Sequence, residues 1–421
     1  METAYMIIDL KSFYASVECV DRGLDPMKAL LAVADKDRSK GTICLAITPA
    51  MKALGIKNRC RIYEIPPHLD CIIAPPRMKR YIDVSADIYE IYLSYVAKED
   101  IHVYSIDESF LDVTTYLGLY GLTAHELALR IMGDIKEKLG LRATCGIGTN
   151  LYLAKVALDI LAKHSPDFIA ELDEESFRQR LWYHRPLTDF WRIGPGTQRR
   201  LNSLGMYTQN DITLFPEKMM YKQFGVLAEY LIDHAWGREP CTMQDIKNYQ
   251  TRSKSLSCGQ VLMRDYSFDE ALVIVKEMAD ELSLNMVAAH VVSNNISLFI
   301  GYSKNELPPT GASATLQVTT NSFRILMDAY IQLYLKSTFR NIPIRRVNIS
   351  ANSVLDECFE QYSFFVDPAV MQKDRQIIRS VNTIKSRYGK NAIVKGMDLL
   401  EEGNTIARNS FIGGHKAGSQ V

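Results

Sequence analysis

Three acidic residues stand where packing alone would not put them. Asp9 closes the aliphatic run Met6-Ile7-Ile8, and Asp107-Glu108 separates His102-Val103-Tyr104-Ser105-Ile106 from Phe110-Leu111-Asp112-Val113. A carboxylate directly after three aliphatic residues is costly unless it is solvated or paired. If the segments are neighbouring strands, Asp9, Asp107 and Glu108 converge at one sheet edge. Oxygen-only ligands suit magnesium, which keeps waters and takes one or two carboxylates plus phosphates. Two such ions about 4 Å apart stabilise both the attacking and the leaving oxygen of an in-line phosphoryl displacement. Taken singly, the same residues also read as plain structure, Asp107-Glu108 as a hairpin turn and Asp9 as a helix cap.

The elements around them follow from periodicity. Met6-Ile7-Ile8 is a short apolar run of the buried-strand kind, and a helix is expected over about 11–21. Ile82, Ile88, Ile91, Tyr92 and Tyr95 form a stripe at helical spacing over 81–97. The two strands flanking Asp107-Glu108 read as a hairpin. Leu127, Ile131, Ile135 and Leu139 mark a helix stopped by Gly140, and a strand over 143–147 and a helix over 151–163 follow. The order is β-α-β-β-α-β, that of a ferredoxin-like fold. Residues 165–240 are mainly helical, with Ile193-Gly194-Pro195-Gly196 between two helices. After a polar linker near 241–252, the pattern β-α-β-β-α-β returns: strand 253–264, helix 268–289, strands 295–301 and 312–318, helix 321–337, strand 344–351. A last helix is expected over 368–388, opened by Asp367-Pro368 and stopped by Gly389.

Bulk properties bound the class more weakly. The 421 residues suffice for two to four domains. No stretch approaches the roughly 18 apolar residues of a membrane span, and the N-terminus lacks the pattern of a signal peptide. The eight cysteines are scattered without a Cys-x-x-Cys pair, which points to reduced thiols in the cytoplasm and away from structural zinc. Formal net charge is zero overall, −3 over 1–240, +2 over 241–355 and +1 over 356–421. A phosphate-binding surface must therefore come from the placement of basic residues.

Two long motifs narrow the reading. Ile8-Asp9-Leu10-Lys11-Ser12-Phe13-Tyr14-Ala15-Ser16-Val17-Glu18 resembles the opening motif of the Y-family translesion DNA polymerases. Tyr104-Ser105-Ile106-Asp107-Glu108-Ser109-Phe110-Leu111-Asp112-Val113 resembles their second motif at the expected distance. The resemblance runs in order to about residue 415 and is closest to the UmuC/UvrX-like branch of the ImpB/MucB/SamB family. It implies two Mg2+ ions, with Asp9 and Asp107 bridging both, Glu108 completing the catalytic-metal site and the carbonyl of Leu10 serving the nucleotide-side metal. Tyr14 matches the steric gate, a ring beneath the incoming sugar, with Phe13 beside it. Lys52, in Thr48-Pro49-Ala50-Met51-Lys52, and Lys155, in Gly146-Ile147-Gly148-Thr149-Asn150-Leu151-Tyr152-Leu153-Ala154-Lys155, match triphosphate contacts. Many relatives carry tyrosine and arginine where Pro49 and Lys52 stand, so a point-charge ammonium replaces a bidentate fork here.

Ile193-Gly194-Pro195-Gly196-Thr197 followed by Arg199 resembles a helix-hairpin-helix, in which glycines let backbone N–H groups reach phosphate oxygens. Lys254, Arg345 and Arg346 fall on strands of the second α/β domain, which resembles the family's little finger. The resemblance thus implies an α+β multidomain right hand: ferredoxin-like palm and short fingers over 1–165, a helix-hairpin-helix thumb over 166–240, a little finger over 250–355, and a tail over 356–421. In that tail Gln361-Tyr362-Ser363-Phe364-Phe365 resembles a sliding-clamp-binding peptide, with Gln361, Phe364 and Phe365 as anchors. The implied activity is low-fidelity extension of primer-template DNA from deoxynucleoside triphosphates, past damaged bases and as part of the SOS response, by a monomer with accessory subunits left open. A DNA-binding accessory protein with a dead core and a palm-fold nucleotidyl cyclase are the rivals. Intact Asp9, Asp107, Glu108 and Tyr14 weigh against the first, and the hairpin-helix and little-finger domains against the second.

Overall fold

The computed structural model describes residues 3–38, 41–251, 254–303, 307–359 and 367–418. They fall into two compact units, 1–249 with 418–421, and 250–417.

The first unit is built on strands β1 (Tyr5–Leu10), β2 (Leu31–Val33), β3 (Ala46–Ile47), β4 (Ile72–Ala74), β5 (Ile101–Val103), β6 (Glu108–Asp112), β7 (Ala143–Gly148) and β8 (Ile169–Leu172). Its helices include α1 (Phe13–Val20), α2 (Pro49–Ala53), α3 (Met78–Leu93), α4 (Thr114–Tyr120), α5 (Ala124–Leu139) and α6 (Leu151–Val156). The main sheet runs β5-β6-β1-β7-β8. Its first four strands are antiparallel in ferredoxin-like order, because each βα crossover returns the chain to the far side of β1. β1 is buried along nearly its whole length, as a central strand covered on both faces must be. Gly146 and Gly148 let α6 lie directly on β7: a Cβ on either would come within 2.1 to 2.3 Å of the Ala154 backbone.

Several boundaries differ from the sequence expectation. β8 pairs parallel with β7, so the main sheet continues beyond residue 165 into the segment assigned to the thumb. Its four residues Ile169-Ala170-Glu171-Leu172 are too short to register as periodicity. The expected helix 151–163 keeps α geometry only to Val156, then widens into a π-type turn over 157–161 and tightens over 162–164. On α3 the buried stripe is Tyr81, Val84, Ile88, Ile91 and Tyr92, while Ile82 is 43% exposed, one position out of phase. β2, β3 and β4 form a separate small sheet, ordered β3-β2-β4. Helices α7 (Glu174–Leu181), α8 (Pro195–Ser203), α9 (Gln209–Leu214), α10 (Glu217–Phe224), α11 (Leu227–Ala235) and α12 (Met243–Asn248) follow. Phe177, Phe190, Leu201, Ile212, Met220 and Leu231 form the core of this helical segment.

The second unit contains β9 (Leu256–Tyr266), α13 (Phe268–Ala288), β10 (Val291–Tyr302), β11 (Thr310–Thr320), α14 (Phe323–Ser337) and β12 (Ile344–Asn352). The element order repeats that of the palm but the pairing does not: the strands run β11-β10-β12-β9. Ile274, Met278, Leu282, Tyr330 and Tyr334 of the two helices cover one face of this sheet. Residues 356–359 and 367–417, expected as a tail, are built into this unit. β13 (Leu355–Asp356) pairs with β10, and α15 (Pro368–Tyr388) packs on α13 through buried Met371 and Ile378. The buried carboxylate of Glu277 accepts backbone N–H groups of Asn404 and Thr405 at 3.0 to 3.1 Å, at the start of α16 (Thr405–Arg408). Gln361, Phe364 and Phe365 lie outside the described residues.

Candidate active site

Strand register brings the three carboxylates together. β1 and β6 pair with Asp9 opposite Glu108, and the Leu10 N–H donates to the Asp107 carbonyl at 3.0 Å. The cluster therefore sits at the end of two central strands; the acidic residues are not at the sheet's outer edge. The turn before β6 is tight, with the N–H groups of Tyr104 and Ser105 both donating to the Glu108 carbonyl at 3.0 Å. Ser105 Oγ donates to Asp107 Oδ1 at 2.7 Å and fixes that carboxylate. On the other side of β1, Thr144 Oγ1 donates to the Asp9 carbonyl at 3.3 Å.

Electrostatics mark the cluster as short of cations. Burial first, then Asp107 and Glu108, push the Asp9 carboxyl up to about 7, against the pull of Lys163 and Lys155. Glu108 is also raised, by burial, although Lys155 opposes the shift. An oxygen-only set whose own charges repel fits a hard divalent cation. As they stand, no three His, Cys, Asp or Glu side chains among the described residues form a closed metal cage. Glu108 is turned onto the Lys155 ammonium instead.

The raised Asp9 pKa fixes a stability signature for the metal-free protein. An unfolded aspartate titrates near ~3.9, so between about pH 4 and about 7 the folded chain holds a proton that the unfolded chain has lost. This contribution is complete below the lower value and is lost as pH rises to the upper one. In chelator-treated protein, Tm should fall across that window, and Asp9→Asn should flatten the fall and raise Tm at pH 8. A thermal-shift pH series checks this; an unchanged slope in the variant contradicts it.

The cations divide into two groups. Lys155, assigned from the sequence to the triphosphate, is consumed internally. Its side chain is only 10% exposed and pairs with Glu108 and with Asp159, the latter at 3.0 Å. Those carboxylates hold its pKa up although burial lowers it. The spacing from Lys155 to Asp159 is one helical turn, and Glu108 faces it from β6, so in the metal-free protein two of its three N–H donors are engaged. Lys163, which the sequence reading missed, is 46% exposed, touches Asp159 at 3.3 Å and acts on Asp9, Lys11 and Lys52. Lys52 lies below its usual pKa through burial, with Asp9 opposing. Lys11 is lowered by burial, then by Lys52 and Arg142, and its ammonium sits 3.5 Å from the Phe168 ring centroid. Lys11, Lys52 and Lys163 thus make a basic rim beside the acidic cluster.

Phe13 and Tyr14 begin α1 immediately after the turn at Ser12, which takes φ 51°. Phe13 is buried; Tyr14 is half-buried and stacks on Tyr81 with centroids 4.5 Å apart. In the helical segment, Gly194 caps α8, and Gly194, Gly196 and Arg199 are all exposed. Neighbouring Arg200 is turned away, onto the Gln223 carbonyl and the Phe224 ring. In the second unit, Lys254 and Arg346 are exposed, and Arg345 pairs with Asp265 at 3.5 Å. The sheet face bearing Arg346 also carries Ser297, Ser313, Asn348 and Ser350, a polar surface without acidic side chains among these positions.

Fold and site define the class, a Y-family DNA-directed DNA polymerase with palm, fingers, thumb and little finger. The chain belongs to the impB/mucB/samB family, whose model matches residues 8–159 and whose C-terminal-domain model matches residues 253–363. It is 33% identical to the UV-damage repair protein UvrX of Bacillus subtilis (strain 168), over 98% of this chain and 97% of that one. It is 29% identical to DNA polymerase IV 2 of the same organism, over 98% and 99% of the two chains. Among solved structures it shares its fold with a Y-family DNA polymerase chimera, at TM-score 0.66 and 22% identity over 84% of this chain and 99% of that one. No helix among the described residues is long and apolar enough to cross a membrane.

Proposed function

We propose that this chain extends DNA primers past damaged template bases, at low fidelity, with Mg2+ held by Asp9, Asp107, Glu108 and the Leu10 carbonyl. The observation that carries this reading is the strand register that sets Asp9 beside Glu108 and ties Leu10 to Asp107. Two bound divalent ions would supply charge stabilisation to both oxygens of an in-line displacement. The protein's part is positional: Ser105 orients Asp107, and Glu108 would turn from Lys155 to hold the metal. Lys11, Lys52 and Lys163 offer point charges to a triphosphate, Tyr14 lies under the sugar with Phe13 packed beneath, and Lys155 holds Glu108 in reserve. The exposed Gly194, Gly196 and Arg199 suit sequence-independent grip on phosphates, as do Lys254 and Arg346. The test is primer extension on undamaged and lesion-bearing templates with Mg2+ titrated from zero. Template-dependent addition that requires the metal is expected; DNA binding without addition would leave an accessory protein.

Gln361, Phe364 and Phe365 are proposed to anchor a sliding clamp, since a glutamine spaced from two adjacent aromatics suits a preformed apolar pocket. Changing both phenylalanines to alanine should abolish clamp stimulation of extension and leave clamp-free extension intact. Loss of both activities would place the two rings in the core.

A further inference from the structure

The steric-gate ring does not rest on general core packing; it rests on one residue that is itself held from behind. Tyr81, in the first turn of α3, is fully buried and stacks on Tyr14 at 4.5 Å with 22° between the ring planes. Phe13 closes the side of the pair, 5.7 Å from Tyr14 and edge-on to Tyr81 at 6.5 Å. A buried tyrosine hydroxyl needs a partner, and Tyr81 donates to Glu18 Oε1 at 2.8 Å. Glu18 is fully buried as well, and a buried carboxylate is tolerated only when paired. Arg77 Nε reaches Glu18 Oε1 at 2.7 Å, and Arg22 pairs with Oε2. Arg77 is tied further to Asp21 at 2.6 Å. Glu18 stands one helical turn after Tyr14 on α1, so the contacts close a ring: Tyr14 on Tyr81, Tyr81 to Glu18, and Glu18 back to the helix that carries Tyr14.

We propose that Tyr81, anchored by Glu18, is a specificity-determining positioning residue that fixes the height of the Tyr14 ring and so sets discrimination between deoxyribose and ribose. The proposal rests on the reading of Tyr14 as the ring that excludes the 2′-hydroxyl. Exclusion by bulk works only if the excluding group cannot yield, and the stacked Tyr81 ring gives the half-buried Tyr14 a fully buried backing. An offset-stacked aromatic pair of this kind adds specific attraction beyond the area it buries. Removing the Glu18 contact would also leave a buried hydroxyl and a buried carboxylate short of a partner.

The experiment measures kcat/KM for a deoxy- and a ribonucleoside triphosphate on one primer-template, for Tyr81→Leu, Tyr81→Phe and Glu18→Gln, each with Tyr14 intact and with Tyr14→Ala. Because each ratio comes from a single enzyme preparation, partial misfolding cancels. With Tyr14 intact, Tyr81→Leu should lower the deoxy-over-ribo ratio by on the order of tenfold. Tyr81→Phe, which keeps the platform and loses the anchor, should lower it less. With Tyr14→Ala, none of the three should lower the ratio further. If Tyr14→Ala lowers the ratio and Tyr81→Leu does not, the positioning role is wrong while the gate stands. A ratio that Tyr14→Ala leaves unchanged overturns the gate reading itself and this proposal with it. Should Tyr81→Leu prove insoluble, Tyr81→Phe and Glu18→Gln carry the same comparison.

Discussion

Asp107→Ala should reduce nucleotide addition by a factor on the order of 10³ or more, with folding and primer-template binding retained. The Asp107 carboxylate is held by Ser105 Oγ at 2.7 Å beside the strand pair that carries Asp9 and Glu108. On the proposed reading, its loss takes away one of the three carboxylates that would hold the divalent ions. Metal-borne charge stabilisation is worth several kcal/mol, and about 4 kcal/mol corresponds to roughly 10³ in rate. The fold should not suffer, because the Asp107 contact to β1 is made by its backbone carbonyl, which alanine keeps. Removing one of three mutually repelling carboxylates also eases the field that raises Asp9. Single-turnover extension, circular dichroism and fluorescence anisotropy with labelled primer-template read the three parts separately. Addition within tenfold of wild type would remove Asp107 from the site.

Much of this arrangement is legible in the chain, for identifiable reasons. A charged residue at the end of an aliphatic run is conspicuous because its burial is costly, so Asp9 and the Asp107-Glu108 pair stand out before any fold is known. The ferredoxin-like order then predicts that their strands are neighbours, which the register bears out. Lysines carry no such signature. Lys155 and Lys163 both follow alanine on one helical stretch, and only the tertiary position of Glu108 and Asp159 decides that the first is consumed and the second remains at the rim. The same limit applies to Tyr81. The stripe expected from the sequence took Ile82 in its place, and the hydroxyl contact to Glu18 depends on how α1 and α3 are set against each other. In the segment after 355 the helix over 368–388 was legible, but the attachment to the second unit was not. Part of that attachment is Glu277 accepting the backbone N–H groups of Asn404 and Thr405, which leaves no trace in side-chain periodicity. Strand order in the second unit was equally hidden, since one linear order of elements serves two pairings.

Tyr14→Ala should lower the preference for deoxy- over ribonucleoside triphosphates by on the order of 10²-fold, chiefly by improving ribonucleotide use. The ring stands on the second residue of α1, two after Ser12, whose left-handed φ of 51° turns the chain sharply from the strand bearing Asp9 into the helix. That turn puts a half-buried phenol within a few residues of the acidic cluster, close enough for Asp107 to join burial in raising its pKa. A gate made of bulk discriminates by repulsion, so its removal relaxes selection without supplying any new attraction. A rejected hydroxyl that must otherwise be accommodated against a packed ring costs about 1–3 kcal/mol, the usual range for overpacking a closely fitted site. Two orders of magnitude is near the top of that range. The reporting quantity is the ratio of kcat/KM values, which isolates differential transition-state binding from any general loss of activity. Tyr14→Phe, which keeps the ring and drops the hydroxyl, should leave the ratio near wild type. If Tyr14→Phe relaxed selection as much as Tyr14→Ala, the phenol oxygen and not the ring would be the discriminating group.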